Sequence, residues 1–366
     1  MKFTVEREKF QRALSQVSSI IGNRSMLPLL GNVLIEARDN ELTLTATDLE
    51  LRLTTKVAAE VAEPGVTTLP GRKLVSLTGA LSGSEVKFEV SDTDQAKITC
   101  GTGRFKLMGM AATDFPAGAD FKVIREVKIE EGTFKRMIQR IAYAVSADDS
   151  RKVLTGILAS FHDDAVLTMV GTDGKRMAMC DTTPESITQN ANGDAIISLK
   201  SMQEAKKLLE NGRTMTLKLG EKQCRYEIGD FVLTCRLIEG NYPNYRQVIP
   251  KSHKLEISLP VDAFLSKLET VSLVLSENNA FVVLSVENGK LRISGASSEV
   301  GEGSDELDIE YTGEPFEVSF NPAFLVDPLR IADGEMVKLK FNDPVNPVTM
   351  EPGEGFLYVI MPIRKQ

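Results

Sequence analysis

The sequence predicts an α+β protein built from three domain-sized repeats, each with two helices packed on antiparallel sheet. Two observations carry this: a signature that occurs three times, and long runs in which apolar and polar residues alternate. The signature is a short alternating strand followed by a helix that opens on Phe. It reads MKFTVEREKFQRALSQV around Phe10, VKIEEGTFKRMIQRIAYAV around Phe134 and HKLEISLPVDAFLSKLETV around Phe264. Phe10 and Phe134 lie 124 residues apart, and Phe134 and Phe264 lie 130 apart, well beyond the roughly 20–50-residue units of solenoids. A third of the 366 residues is the size of a domain that buries its own core. The repeats are assigned to residues 1–125, 126–252 and 253–366.

In the first repeat, Lys2 to Val5 alternates as a strand, and Phe10, Leu14, Val17 and Ile21 recur at helical spacing, so a helix is expected over 8–21. Gly22 to Pro28 reads as a loop and Asn32 to Ala37 as a strand ending in a turn at Asp39-Asn40. The run LTLTATDLELRLTTKV reads as half-buried antiparallel strands. After Pro64-Gly65 a strand leads into a second helix over 71–82, then EVKFEV, AKITC and RFKLMGM form a meander that leaves through Asp114-Phe115-Pro116. The second repeat keeps this order: a helix over 133–146 with Phe134, Met137, Ile138, Ile141 and Val145 on one face, a strand from Leu154 to Phe161, LTMVGTDGKRMAMC, and a helix over 200–210. Thr172-Asp173 follows Thr47-Asp48 by 125 residues, and Asn241-Tyr242-Pro243 follows Asp114-Phe115-Pro116 by 127. In the third repeat a helix is expected over 262–275 and a hairpin FVVLSVENGKLRISGA turning on Asn288-Gly289. Its second helix, over 322–332, is capped by Asn321 and opened by Pro322, with Pro328 expected to kink it. The chain closes on MVKLKF, PVTMEP and FLYVIMPIRKQ. Each repeat is thus strand, helix, three strands, helix, three strands.

Hydrophobic content of 42% and charged content of 26% are those of a globular chain without low-complexity segments. The charged start MKFTVEREKF does not read as a signal peptide, and no apolar run reaches the ~20 residues of a membrane span, so a cytoplasmic protein is expected. Cys100, Cys180, Cys224 and Cys235 show no CxxC spacing and are expected as free thiols.

Three copies in a row leave an open sheet edge at each end, and open edges invite pairing with another chain. Two chains joined head to tail close a ring of six units with a two-fold axis. The net charge is −8, yet the six expected helices together carry +6 and the remainder −14. A helix-lined hole that attracts phosphates inside an acidic rim fits that split.

Catalytic patterns are weak. Only His162 and His253 are present, and His162-Asp163-Asp164 reads as a hairpin end. Gly171-Thr172-Asp173-Gly174-Lys175-Arg176 has two residues, not four, between its glycines, and Arg where a phosphate loop needs Ser or Thr. Gly101 and Gly103 lack a third glycine, and Ser84-Glu85-Val86-Lys87 has no KTG after it. Neither a metal nor a cofactor is expected.

MKFTVEREKF, LPLLGNVLIEA, TATDLEL, TDGKRMA, NYPNYRQVIPK and YVIMPIR, in register over the whole chain, resemble the bacterial sliding-clamp family, the beta subunits of DNA polymerase III. The resemblance implies a non-catalytic processivity factor: a homodimeric ring around double-stranded DNA, set there by a clamp loader and tethering the replicative polymerase and other polymerases and repair proteins. Phosphate contacts would come from Arg24, Arg72, Lys73, Arg151, Lys152 and Lys200. Many relatives carry aromatics near Lys152-Val153, where charge replaces stacking here. Partner peptides containing Gln and apolar residues would bind among Leu154, Thr172, Gly174, Lys175, Arg176, Met177, Pro243, Val248, Phe324, Val345, Met361, Pro362, Ile363 and Arg364. Lys175 and Phe324 stand where relatives often have His and Tyr. Ring closure would set Leu77, Phe105 and Leu107 against Val274 and Leu275, with Lys73, Arg104 and Lys106 facing Glu299, Glu302, Asp305 and Glu306. A repeat enzyme of the Ser-Lys type and a peptide-binding scaffold that never encloses DNA are the competing readings.

Overall fold

A computed structural model describes the chain except for residues 23–26, 162–164, 189–192, 277–280, 288 and 365–366. Six helices are found among the described residues: α1 (Arg7–Val17), α2 (Gly71–Ala80), α3 (Glu131–Ala142), α4 (Leu199–Leu208), α5 (Val261–Ser272) and α6 (Pro322–Leu329). Five of them begin directly where a strand ends, as α1 does after Lys2–Glu6 and α5 after Leu255–Pro260. The alternating period of the strand thus switches to the helical period without a loop. The repeated Phe10, Phe134 and Phe264 are fully buried on α1, α3 and α5, so the signature that defines the repeat is its core anchor.

The helices are shorter than their apolar periodicity suggests. α1 gives way at Ser18 to a 3-10 turn, and Ile21, on the extended chain beyond it, still reaches the core. α3 starts two residues early because the Glu130 carboxylate accepts from the N–H groups of Gly132 (2.8 Å) and Thr133 (2.5 Å), satisfying donors a helix start leaves open. Burial works against its charge, but these bonds and those from the Thr133 hydroxyl and Gly212 N–H hold the carboxyl down at about 2. α6 is capped by Asn321, whose side chain accepts from Ala323 N–H at 2.9 Å, and it ends at Leu329 rather than 332, with Pro328 in its last turn. Among the described residues the first and third repeats have four strands between their helices, not three, and the second has five, one of them the two-residue Ser186–Ile187. In the first these are Asn32–Arg38, Glu41–Thr47, Leu51–Glu63 and Gly65–Pro70. Glu287 pairs with Lys290 across the third-repeat hairpin, as a two-residue turn requires, with Gly289 at φ 80; Asn288 itself lies outside the described residues.

The middle repeat contributes to two compact units. One unit holds Met1–Thr133 and Lys200–Leu237, and the other holds Phe134–Pro184 and everything from Ile238 on. In the first unit a 13-stranded sheet is continuous because Phe231–Arg236 pairs with Leu51–Glu63, Cys235 opposite Leu51. Its last strand is Gly103–Met108. In the second unit an eight-stranded sheet is joined where Arg176–Thr182 pairs with Phe356–Ile360, Met177 opposite Val359. A separate four-stranded sheet ends on Gly301–Asp308. No described helix is long and apolar enough to cross a membrane.

Candidate functional site

The first and second repeats build the same turn. In the first, Thr47 Oγ1 donates to the Leu51 carbonyl at 2.7 Å, while Asp48 Oδ1 accepts from the N–H groups of Glu50 (3.0 Å) and Leu51 (2.7 Å). In the second, Thr172 Oγ1 donates to the Arg176 carbonyl at 2.6 Å, and Asp173 Oδ1 accepts from Lys175 (2.8 Å) and Arg176 (3.0 Å). Leu49 and Gly174 hold the left-handed position at φ 78 and 87. A residue with a Cβ is strained there, and glycine is not. GTDGKR is therefore a side-chain-bonded hairpin turn, not a phosphate loop.

Around the second turn the sheet seam carries a buried apolar cluster of Leu158, Val170, Met177, Ile196, Tyr245 and Val359, with Val153, Met179, Ile238, Tyr242 and Ile249 packed against it. Met177 and Leu154 are buried. Val248, Val345, Met361 and Ile363 keep 39–49% of their surface. The Met361 N–H donates to the Lys175 carbonyl (2.9 Å) and that of Ile363 to Ser319 (2.8 Å), which ties the segment carrying Pro362 and Arg364 to the turn. Tyr242, beside Pro243, donates to the Val170 carbonyl at 3.3 Å.

Arg176 departs from the expected role of answering peptide carbonyls. Its Nε donates to Asp173 (3.1 Å), Nη1 to Asp327 (2.6 Å) and Nη2 to the Tyr143 carbonyl (2.6 Å), while the Phe324 ring centroid lies 4.5 Å from its Cζ. The exposed cations here are Lys175 and Arg364, neither ion-paired among the described residues. Asp173, Tyr143 and Asp327 were not singled out from the sequence. Asp173 was legible from its Thr-Asp spacing, and Asp327 only from its place three residues after Phe324.

The expected DNA contacts differ in state. Arg24 lies outside the described residues. Arg72 donates to the Ile21 carbonyl at 2.9 Å, and Arg151 pairs with Asp148 at 3.3 Å. Lys200 is held by Asp48 (2.5 Å) and Glu50 (3.2 Å), whose charges raise its pKa against the effect of burial. Lys73 and Lys152 are exposed, with no ion pair among the described residues. With the observed bounds the six helices still carry +6.

On the edge strand Gly103–Met108, Arg104 and Lys106 are exposed, as is the unforeseen Lys97 on the strand beside it, directly opposite Lys106, all three without ion pairs among the described residues. Like charges so placed repel unless something else meets them. Phe105 is 38% exposed, and Leu77 and Leu107 are half-buried. On the other edge, Asp305 and Glu306 are already bound within the chain, to Lys267 (2.7 Å) and to Lys290 and Arg292 (3.0 Å each), so of the four expected acids only Glu299 and Glu302 are unengaged among the described residues. Val274 and Leu275 are half-buried over Gly303 and Gly295, and Leu273 beside them is 80% exposed. All four cysteines are buried free thiols, with Cys224 and Cys235 sulfurs 3.6 Å apart. Lys87 sits in strand Glu85–Val90, and no group of three or more His, Cys, Asp or Glu among the described residues is placed to hold a metal ion; His162 lies outside them.

Family models match in succession: the N-terminal domain of the DNA polymerase III beta subunit over residues 1–119, its central domain over 128–244 and its C-terminal domain over 246–364. The beta sliding clamp of Chlamydia muridarum is 33% identical over 364 residues, covering 100% of this chain and 99% of its own. The chain belongs to the beta sliding clamp family. Among solved structures, the DNA polymerase III subunit beta from Pseudomonas aeruginosa gives a TM-score of 0.95 at 29% identity, with all of both chains covered. A sliding clamp from the same organism bound to griselimycin gives 0.94 at 29% identity, again over all of both chains. The fold is the three-domain clamp fold of mixed helix and sheet, and the function is that of a sliding clamp in DNA replication.

Proposed function

We propose that two of these clamp chains close head to tail into a ring around duplex DNA, and that the groove beside Met177 takes extended peptides from the replicative polymerase, the clamp loader and other polymerases and repair proteins. The observation that carries ring closure is the pair of open sheet edges with opposite uncompensated charge: Gly103–Met108 with Arg104, Lys106 and Lys97, and Gly301–Asp308 with Glu302 and nearby Glu299. Edge pairing would supply the ladder hydrogen bonds both edges lack. Exposed ion pairs add only about 0 to 1 kcal/mol each, so Phe105, Leu107, Leu77, Leu273, Val274 and Leu275 supply most of the association. The relative bound to griselimycin supports the view that clamps of this fold take a ligand. The reading keeps domains of residues 1–125, 126–252 and 253–366, a cytoplasmic location, and action by tethering, which raises polymerase concentration at the primer end, without chemistry of the clamp's own.

The test is retention. The clamp is loaded by an active loader onto nicked circular plasmid, isolated in high salt, and the plasmid is then linearised. Salt-resistant retention followed by release on cutting is expected; loss in salt before cutting overturns the ring and leaves a scaffold. Deleting residues 361–366 should abolish peptide binding and leave the dimer intact, because this segment bonds to the Lys175 turn and to Ser319, away from the edges Gly103–Met108 and Gly301–Asp308.

A further inference from the structure

We propose that Asp327 is a positioning residue of the peptide groove, acting through Arg176 on the Phe324 ring; this rests on the groove reading above. Phe324 and Asp327 stand three residues apart on α6, so they share a face of the helix. Both meet one guanidinium: Asp327 Oδ2 accepts from Nη1 at 2.6 Å, and the Phe324 ring lies over Cζ at 4.5 Å. The helix carrying them is fixed at its start by the Asn321 cap.

From the other side the turn of the second repeat offers Asp173, at 3.1 Å from Nε, and the end of α3 offers the Tyr143 carbonyl, at 2.6 Å from Nη2. The planar fork of Arg176 is thus held along three directions in its own plane, which leaves its flat face as the bearing surface for the ring. Its side chain is 12% exposed and that of Asp327 28%, so the pair is sheltered enough for loss of one partner to matter. Behind it the Tyr143 and Tyr358 rings pack 5.6 Å apart, with the Tyr358 hydroxyl beside the Arg176 guanidinium.

Without Asp327 the guanidinium keeps the in-plane bonds to Asp173 and Tyr143 but loses the hydrogen bond that ties it to α6. The Phe324 ring then keeps its helix but loses the bond that sets the guanidinium face against it. Arg176 acts as the seat of an apolar wall, and the cation facing a peptide is Lys175. Asp327 touches no ligand in this scheme.

The experiment is a double-mutant cycle on the full-length dimer with a fluorescein-labelled peptide, Gln-Leu-Ala-Leu-Phe, read by anisotropy. Asp327→Asn, nearly isosteric, is expected to weaken binding about tenfold in the wild-type background and less than twofold in a Phe324→Ala background. Arg176→Lys, which keeps the charge but not the fork, should behave in the same way and stands in if Asp327→Asn folds poorly. A change below twofold in the wild-type background overturns the proposal, and so does an equal loss in both backgrounds, the mark of a merely structural role. A wild-type chain that does not bind the peptide overturns the groove reading first, and this one with it.

Discussion

Leu273 is the sharpest handle on ring closure. It sits one residue past the end of α5 with 80% of its surface exposed, beside Val274 and Leu275, which already rest on Gly303 and Gly295 of their own chain. Burying a leucine side chain fully is worth about 1.5–3 kcal/mol. A two-fold dimer has two such seams, so Leu273→Ala, which keeps one methyl, should cost about 2–4 kcal/mol of dimer stability, or roughly 30- to 700-fold in the dimer Kd. Because the side chain makes so little contact within its own chain, far-UV circular dichroism and the unfolding midpoint at high protein concentration should barely move. Sedimentation velocity over a dilution series measures the Kd directly. A variant that dimerises within threefold of the wild type refutes the argument that the exposed surface around Leu273 is buried by the partner.

Glu130→Gln removes a carboxylate whose folded pKa, about 2, lies below its unfolded value. Its contribution is therefore present above about pH 4.5 and fades as pH falls towards 2; the variant should be about 1 kcal/mol less stable at pH 7, with the gap closing in acid, as followed by urea unfolding at several pH values. Gly171→Ala would place a Cβ 2.6 Å from Ile141 Cγ2 and 3.0 Å from the Ile141 carbonyl oxygen, an overpacking that should cost about 1–3 kcal/mol and show as a lower melting temperature in calorimetry. Lys73→Ala with Lys152→Ala should lower the slope of log affinity against log salt for short duplex DNA by about 0.9 per lost phosphate contact; an unchanged slope removes these two lysines from the DNA surface.

The repeat, the strand order within it and the buried face of each first helix were legible because they rest on local periodicity. Phe10, Phe134 and Phe264 announce the core three times over. Helix ends were less so, since caps such as Glu130 and breaks such as that at Ser18 depend on bonds that periodicity does not encode. The groove residues came from resemblance, and their roles did not follow from position. Arg176 reads as a ligand cation in sequence, yet it is spent on Asp173, Asp327 and Tyr143, two of them distant along the chain. Lys200, Asp305 and Glu306 are ion-paired within the chain, which a sequence does not reveal: it shows a charge and not its partner. Leu273, just past the end of α5, and Lys97, on the strand beside the edge, were missed because exposure is decided by what packs around a residue and not by its place in a periodic pattern.

The pairing of Arg176–Thr182 with Phe356–Ile360 also sets an order in time. One strand of the seam is made half-way through synthesis and the other about 180 residues later, so a chain still on the ribosome has a half-built seam and would lack the proposed peptide site. Contacts of such long sequence separation form late. Partner proteins in a growing cell would then be blind to nascent clamps and would meet only finished ones, which spares an incomplete molecule from sequestering polymerase.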